Sequence, residues 1–233
     1  MMLVFFECST WNIQKKWCNF ESACVSFDTH NCRDSAMLKR AYHCSHRFNC
    51  STWNNSYTYT IMQTVKENIR MVEDFPEKGI VFVDLTTVFK KPECMKKIED
   101  ALYETYKNAG ATKVIGIESR GFFFSTILAN RIGAGFVPLR KKGKLPAETL
   151  EVSYQKEYGL DTIQIHKDAL TEDDVVILHD DILATGGTIQ AAIELIKKFN
   201  VKKIYVSFIG EIDFLKGRDK IENDVDVDVL IHF

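Results

Sequence analysis

Glycine, proline and tryptophan are each missing from one part of this 233-residue chain, and the gaps divide it near residue 61. Residues 1–61 contain none of the 12 glycines and none of the four prolines, yet hold all three tryptophans (11, 17 and 53) and six of the seven cysteines (8, 18, 24, 32, 44 and 50). Residues 62–233 have no tryptophan and one cysteine, Cys94. No apolar run approaches the ~18 residues of a membrane-spanning helix, so no membrane partner is expected. The opening MMLVFF lacks a basic leader and is cut by Glu7, so a secretory signal is not expected either. Neither sign of charge dominates: 30 basic against 32 acidic side chains leave a net −2, which argues against a nucleic-acid partner. These absences point to a soluble cytoplasmic chain, and its 45% apolar and 27% charged residues are ordinary for one.

The first 61 residues also lack clear periodicity and turn punctuation. Their cysteines never come closer than C-x5-C (18/24 and 44/50), wider than a usual zinc pair, although His43 and His46 flank Cys44. A disulfide framework would need an oxidising compartment, which nothing else in the chain suggests. We expect an extension without a fixed fold that contributes nothing to catalysis. A sharper form of this reading has translation beginning at Met62. The remainder, 24 basic against 28 acidic residues, is long enough to bury a sizeable core and is read as one domain, 62–233.

In that domain the spacing of apolar residues 61, 65, 69 and 72 predicts a helix over 62–73. A turn at Phe75–Gly79 and a strand at Ile80–Val83 follow. Pro92 opens a helix running to about Ala109, and Gly110 closes it. Next come a strand at Lys113–Glu118, a helix at Gly121–Ile132, a strand at Gly135–Lys141, a basic loop at 140–146, and a hairpin of 152–158 with 161–167. The apolar run Val175–Leu178 reads as a strand buried on both faces. The loop Asp180–Gly187, a helix at Thr188–Phe199 and strands at Lys203–Ile209 and Val225–Ile231 complete the domain. Alternating strands and helices predict an α/β fold with a central, mainly parallel sheet flanked by helices. No internal repeat or low-complexity tract is present.

The stretch with most chemistry is Val176-Ile177-Leu178-His179-Asp180-Asp181-Ile182-Leu183-Ala184-Thr185-Gly186-Gly187-Thr188. A buried strand delivers two adjacent carboxylates, and a loop of small residues then opens a helix. Ligands of open parallel sheets bind beyond the carboxyl ends of the strands. Small residues let backbone amides curl around an anion, and the helix N-terminus adds partial positive charge. Asp180 and Asp181 suit hydroxyl donors or a metal. A phosphorylated sugar offers both kinds of group, one sugar-width apart. A nucleotide P-loop would need Gly-Lys-Ser/Thr and a dinucleotide fold G-x-G-x-x-G; neither occurs here. The bland alternative is a strand–turn–helix whose aspartates merely cap the helix.

This run resembles the phosphoribosyl-pyrophosphate motif of type I phosphoribosyltransferases. Flanking segments narrow the resemblance to the adenine phosphoribosyltransferase family: Phe75-Pro76 through Gly79 and Phe82, Glu118-Ser119-Arg120-Gly121, Leu139 through Pro146, and Glu157-Tyr158-Gly159. It covers about residues 62–233 and none of 1–61. It implies the type I phosphoribosyltransferase fold with a flexible hood or lid loop. It also implies the Mg2+-dependent reaction of adenine with phosphoribosyl pyrophosphate to give AMP and pyrophosphate, in purine salvage, by a homodimer. By position, Ala184, Thr185, Gly186, Gly187 and Thr188 would cradle the 5′-phosphate, and Asp180 and Asp181 would hold the ribose hydroxyls. Ser119, Arg120, Arg140, Lys141 and Lys144 would meet the rest of phosphoribosyl pyrophosphate, their cations offsetting the leaving group's charge. Phe82, the Val83 backbone and Ile212 would hold adenine. Glu157 would be the acid/base group, beside Tyr158 in lid material spanning 142–158. No residue is assigned to the metal directly; Mg2+ is expected through the substrate.

Three residues depart from the family pattern: Val83 where a basic residue is common, Glu118 where Asp is common, and His179 where an apolar residue normally precedes the acid pair. For His179 we expect a buried neutral ring with a hydrogen-bond partner; the alternative is contact with the aspartates and pH-sensitive binding. Two rivals remain. A 6-oxopurine or xanthine-type enzyme would need the donors and acceptors of the base pocket reversed. A non-catalytic phosphoribosyl-pyrophosphate sensor would need a basic DNA-binding element, which the +2 charge of residues 1–61 does not supply.

Overall fold

Strands with apolar side chains on both faces need two covering layers, and the helices supply them. The computed structural model describes residues 62–75, 77–78, 81–156 and 159–233. The readings for residues 1–61 (an extension without a fixed fold, against a Cys/His metal module and a disulfide framework) lie outside the described residues, as do Pro76, Gly79, Ile80, Glu157 and Tyr158. After a helical segment at 62–66 come β1 (Arg70–Glu73), β2 (Val81–Asp84), α1 (Thr86–Phe89), α2 (Pro92–Tyr106), β3 (Lys113–Ile117), α3 (Gly121–Ile132) and β4 (Gly135–Lys141). They are followed by β5 (Thr149–Lys156), β6 (Gly159–His166), β7 (Val175–Leu183), α4 (Gly187–Lys197), β8 (Lys203–Glu211) and β9 (Asp226–His232).

Seven strands form one sheet in the order β5-β6-β4-β3-β7-β8-β9. β4, β3, β7, β8 and β9 pair in parallel, whereas β6 is antiparallel to β4 and β5 antiparallel to β6. Alternate residues of the central strands enter two cores. Ile115, Val176, Leu178 and Val206 pack with Ile189, Ala192, Ile193 and Ile196 of α4. Val114 and Ile177 pack with Ile98, Leu102 and Tyr106 of α2 and Phe124 and Leu128 of α3. The period of two in the strands and the i, i+4 spacing in the helices bring these residues face to face. The chain moves from β3 outward to β4 on one side and from β7 to β8 and β9 on the other. The crevice between the carboxyl ends of β3 and β7 is therefore the switch point where α/β folds bind ligands. No helix among the described residues is long and apolar enough to cross a membrane.

Several boundaries differ from the sequence reading. The helix expected over 62–73 stops at 66, and 70–73 are strand β1, antiparallel to β2. Pairing with a distant partner overrides the periodicity: Arg70 Nε donates to Asp84 Oδ2 at 3.0 Å across the hairpin. The helix from Pro92 ends at Tyr106, and α1 was not foreseen. The expected loop Asp180–Gly187 shrinks to three residues, because β7 continues to Leu183 by pairing Ile182 with Gly210 and Leu183 with Glu211 of β8. Helix α4 accordingly starts at Gly187 and ends at Lys197. Much of the segment expected as a lid loop is strand: β5 pairs with β6 from Thr149↔His166 to Lys156↔Gly159. The basic loop is strand through Lys141, and the hairpin lies three residues earlier on its first arm than expected.

Candidate active site

β7 carries Val176, Ile177, Leu178 and His179 buried through the sheet and brings Asp180 and Asp181 to its carboxyl end. At the end of β3, Glu118 and Ser119 join through a cis peptide bond, and Arg120 precedes α3. The two ends meet in an ion pair across the switch point, Arg120 Nε to Asp181 Oδ2 at 3.0 Å. Gly121 permits the approach, since a Cβ there would lie 2.8 Å from the His179 carbonyl oxygen and 3.0 Å from Asp180 Oδ1. Burial, and next the charge of Asp181, push the Asp180 carboxyl well above the usual carboxylate range. Burial also raises Asp181, with the Arg120 guanidinium opposing it. The Oδ2 of Asp181 is buried and, despite the adjacent guanidinium, accepts no aligned hydrogen bond. A carboxylate pair in this condition gains from hydroxyl donors or a cation.

Beyond Leu183 the chain turns at Ala184, Thr185 and Gly186 into α4. Gly186 adopts φ +77°, a left-handed conformation that glycine tolerates. No side chain caps the helix, so its first amides stay available to an anion. The turn is braced from behind by Gly217: a Cβ on Gly217 would fall 2.1 Å from the Ala184 carbonyl oxygen, and one on Gly186 would fall 2.3 Å from the Gly217 carbonyl oxygen.

In front of the turn opens a cavity of about 640 Å³. Of the residues singled out in the sequence, Phe82, Val83, Arg120, Ala184, Thr185, Gly187, Thr188 and Ile212 line it. Asp180 and Gly186 line a smaller recess of about 80 Å³ that shares Ala184, Thr185, Gly187 and Thr188 with it. Phe82 is half-buried, with the Arg120 guanidinium 5.2 Å from its ring centroid. Val83 and Ile212 are buried. The apolar Phe82, Val83 and Ile212, a cation and an uncapped helix start therefore share one cavity. Asp84, next to the slot, has a carboxyl held down at about 2 by the Thr86 hydroxyl and by Arg70.

Ser119, Arg140, Lys141 and Lys144 do not line this cavity, and Asp181 reaches it only through its ion pair with Arg120. Ser119, Lys141 and Lys144 are exposed. Arg140 is engaged by Glu118, with Nε to Oε2 and Nη2 to Oε1 both at 3.2 Å, and the Lys141 backbone N–H donates to the same carboxylate at 3.0 Å. Burial raises the Glu118 carboxyl, but these donors outweigh it and leave it below its ordinary value. The longer acid at 118 thus reaches β4 and holds the basic strand end.

Tyr154, Gln155, Leu215 and Lys220 also line the cavity and escaped the sequence reading. Tyr154 and Gln155 stand just ahead of Glu157-Tyr158-Gly159, which could have flagged them. Leu215 and Lys220 belong to the short turns after β8, where no local pattern marks a site. His179 is fully buried, with Nδ1 3.1 Å from Ser207 Oγ, and burial pushes its ring down to about 3. It is the neutral core histidine expected, with Ser207 as its partner.

This crevice brings paired acids and an open helix start together at the switch point of the sheet, a layout suited to a phosphorylated ligand. Residues 60–229 match the model of the phosphoribosyl transferase domain family. The adenine phosphoribosyltransferase of Bacteroides fragilis is 61% identical over 163 residues, which cover 70% of this chain and 92% of that protein. Among solved structures, adenine phosphoribosyltransferase from Rhodothermus marinus superposes with a TM-score of 0.71 at 45% identity, over 75% of this chain and 99% of that one. The Saccharomyces cerevisiae enzyme, complexed with an imino-altritol bisphosphate and adenine, gives 0.69 at 39% identity, over 73% and 98%. The chain belongs to the phosphoribosyltransferase family of transferases, and within it to the adenine phosphoribosyltransferases.

Proposed function

We propose that the chain transfers the phosphoribosyl group of phosphoribosyl pyrophosphate to adenine, giving AMP and pyrophosphate, as a step of purine salvage in the cytoplasm. One observation carries this reading: a single cavity is lined by Phe82, Val83 and Ile212, by Ala184, Thr185, Gly187 and Thr188, and by Arg120, whose guanidinium pairs with Asp181 behind it. The loop amides, the Thr185 and Thr188 hydroxyls and the α4 N-terminus bind the 5′-phosphate. Asp180 and Asp181 accept the ribose 2′- and 3′-hydroxyls, supplying the donors that the buried Asp181 Oδ2 lacks. Phe82 and Ile212 sandwich adenine, and the Val83 backbone reads its edge.

A bond forms from adenine N9 to C1′ while the bond from C1′ to the pyrophosphate oxygen breaks, through an oxocarbenium-like transition state. Adenine reacts as its N7–H tautomer, so the N9 lone pair is free to attack, and the Glu157 carboxylate takes the N7 proton as the bond forms, while Tyr158 helps exclude water. Arg120, Arg140, Lys141 and Lys144, with Ser119, receive the departing pyrophosphate. For the last four this requires rearrangement around Glu118. Mg2+ would come to the site with the substrate's phosphates, while Asp180 and Asp181 stay with the ribose hydroxyls. When bound with the substrate the ion neutralises pyrophosphate charge.

The catalytic domain is 62–233, and 1–61 is an extension without a catalytic role. The enzyme works as a homodimer. Exposed Phe123, beside Phe89, Met95, Phe122 and Ile127 on one apolar face, supports a protein contact there.

The test measures AMP formation from adenine, phosphoribosyl pyrophosphate and Mg2+, beside a Glu157→Gln variant. Adenine-selective turnover that falls by about 10²-fold or more in the variant is expected. Turnover with hypoxanthine but not adenine would move the protein to the oxopurine enzymes. Binding of phosphoribosyl pyrophosphate without turnover on any base would leave a sensor.

A further inference from the structure

We infer that Lys220 binds the 5′-phosphate of the substrate, supplying the positive side chain that the 184–188 loop lacks; the inference deepens the phosphoribosyl-transfer reading above and rests on it. That loop reads Ala-Thr-Gly-Gly-Thr and offers amides and hydroxyls but no cation. A phosphate ester carries a charge of about −1.5 to −2 at neutral pH. The helix start contributes only about half a positive charge, which leaves most of that unmatched. Two cations line the 640 Å³ cavity, Arg120 and Lys220. Arg120 already faces Asp181 at 3.0 Å. Lys220 has no acidic partner among the described residues, and none of the described acidic side chains lines the cavity with it.

The fold fixes where Lys220 stands. Residues 216–220 hold three cations, and each has different neighbours. Arg218 is tied to the end of β8: Nε donates to both carboxylate oxygens of the buried Glu211 at 3.2 Å, and Nη2 donates to Oε2 at 2.6 Å. Lys216 does not line the cavity, and neither does Asp219. Gly217–Lys220 is a single turn of 3-10 helix, in which residues three apart stand on the same face. Gly217 marks that face: a Cβ on it would lie 2.1 Å from the Ala184 carbonyl oxygen and 3.0 Å from the Gly186 amide nitrogen. Lys220 follows on the same face about 6 Å along the turn. There it lines the cavity with Ala184, Thr185, Gly187 and Thr188. Arg218 thus anchors the turn, Gly217 seats it against the anion loop, and Lys220 carries an unmatched charge past the loop into the cavity. An ammonium on a flexible four-carbon stem suits the task, because it meets phosphate as a point charge.

The experiment measures AMP binding by calorimetry for wild type, Lys220→Gln, Lys220→Arg and Lys216→Gln, with turnover in both directions in the presence of Mg2+. Loss of one charge-assisted contact at an exposed position should raise Kd for AMP and KM for phosphoribosyl pyrophosphate about tenfold in Lys220→Gln. KM for adenine, KM for pyrophosphate with AMP saturating, and kcat should hold within about twofold. Kd for AMP should climb more steeply with ionic strength in wild type than in Lys220→Gln, a difference that a merely structural lysine would not produce. Lys220→Arg keeps the charge and should bind AMP within about threefold of wild type. Lys216→Gln removes the same charge from the same turn but away from the cavity, and should bind AMP as wild type does. Unchanged AMP binding by Lys220→Gln, or equal weakening by Lys216→Gln, would overturn the inference alone. A rise confined to KM for adenine or for pyrophosphate would overturn it too. Failure of the wild-type chain both to bind AMP and to turn over adenine would overturn the phosphoribosyl-transfer reading as well.

Discussion

Replacing Gly217 with alanine tests whether the anion loop is held from behind. Gly217 touches no expected ligand, and its backbone conformation is open to any residue, so the effect is steric. The new Cβ would lie 2.1 Å from the Ala184 carbonyl oxygen, where ordinary contact starts at 3.4 Å, an overlap of 1.3 Å. Both partners are backbone, so no flexible side chain can yield. The 184–186 turn or the Gly217–Lys220 turn has to move by about the size of the overlap. A misplacement of about 1 Å at a binding site can cost on the order of 10²-fold in rate. Overpacking of this kind costs typically 1–3 kcal/mol of stability. We expect kcat/KM for phosphoribosyl pyrophosphate to fall by about 10²-fold, while the folded protein survives with a lowered Tm. Gly135→Ala is the control. Its Cβ would meet the Lys113 side chain at 3.1 Å, and that flexible chain can swing away. Equal activities for the two variants, or Gly217→Ala within threefold of wild type, would refute the bracing argument.

Asp180→Asn should separate stability from function. A carboxyl whose folded-state pKa is raised stabilises the fold below its unfolded pKa of ~3.9, and that contribution is lost as pH climbs toward the folded value. The variant should therefore have a higher Tm than wild type at pH 7, by a margin that shrinks toward pH 4, and a raised KM for phosphoribosyl pyrophosphate. A lower Tm at both pH values would contradict this. His179→Val carries the opposite sign. A histidine held at about 3 in the fold and near 6.5 unfolded contributes stability above 6.5 that is lost as pH falls. Between pH 7 and 5 that loss is about 2 kcal/mol for wild type, and urea titrations of the variant should lack it. Its activity profile above pH 6 should match wild type, and a shifted profile would implicate the ring in substrate binding.

Helix α3 lies at 121–132 and strand β4 at 135–141, as the sequence pattern predicts, because each is bounded by its own local chemistry. The Gly133 turn at φ +73° ends α3, and an apolar run fills β4. The small residues at 184–188 also marked a turn between a buried strand and a helix, although the turn itself is 184–186 and not the 180–187 expected. The paired acids and Phe82 could be named from motif order; Phe82 lines the cavity, Asp180 the adjoining recess, and Asp181 meets it through Arg120.

Other features depend on residues far apart in the chain. Nothing local distinguishes residues 70–73 from the helix before them; only pairing with β2 and the Arg70–Asp84 contact make them a strand. β7 outlasts its apolar run because β8 offers backbone partners as far as Glu211. Arg140 faces Glu118 rather than the cavity because adjoining strands bring them together from 22 positions apart. Tyr154 reaches the site from a hairpin, and Gly217 and Lys220 from one distant turn. By itself the sequence determined the conformations that a few neighbouring residues enforce and the order of the chemical motifs. Which side chains share the cavity, and which backbone atoms brace it, only the tertiary structure decided, because those contacts follow from strand order and register across the sheet.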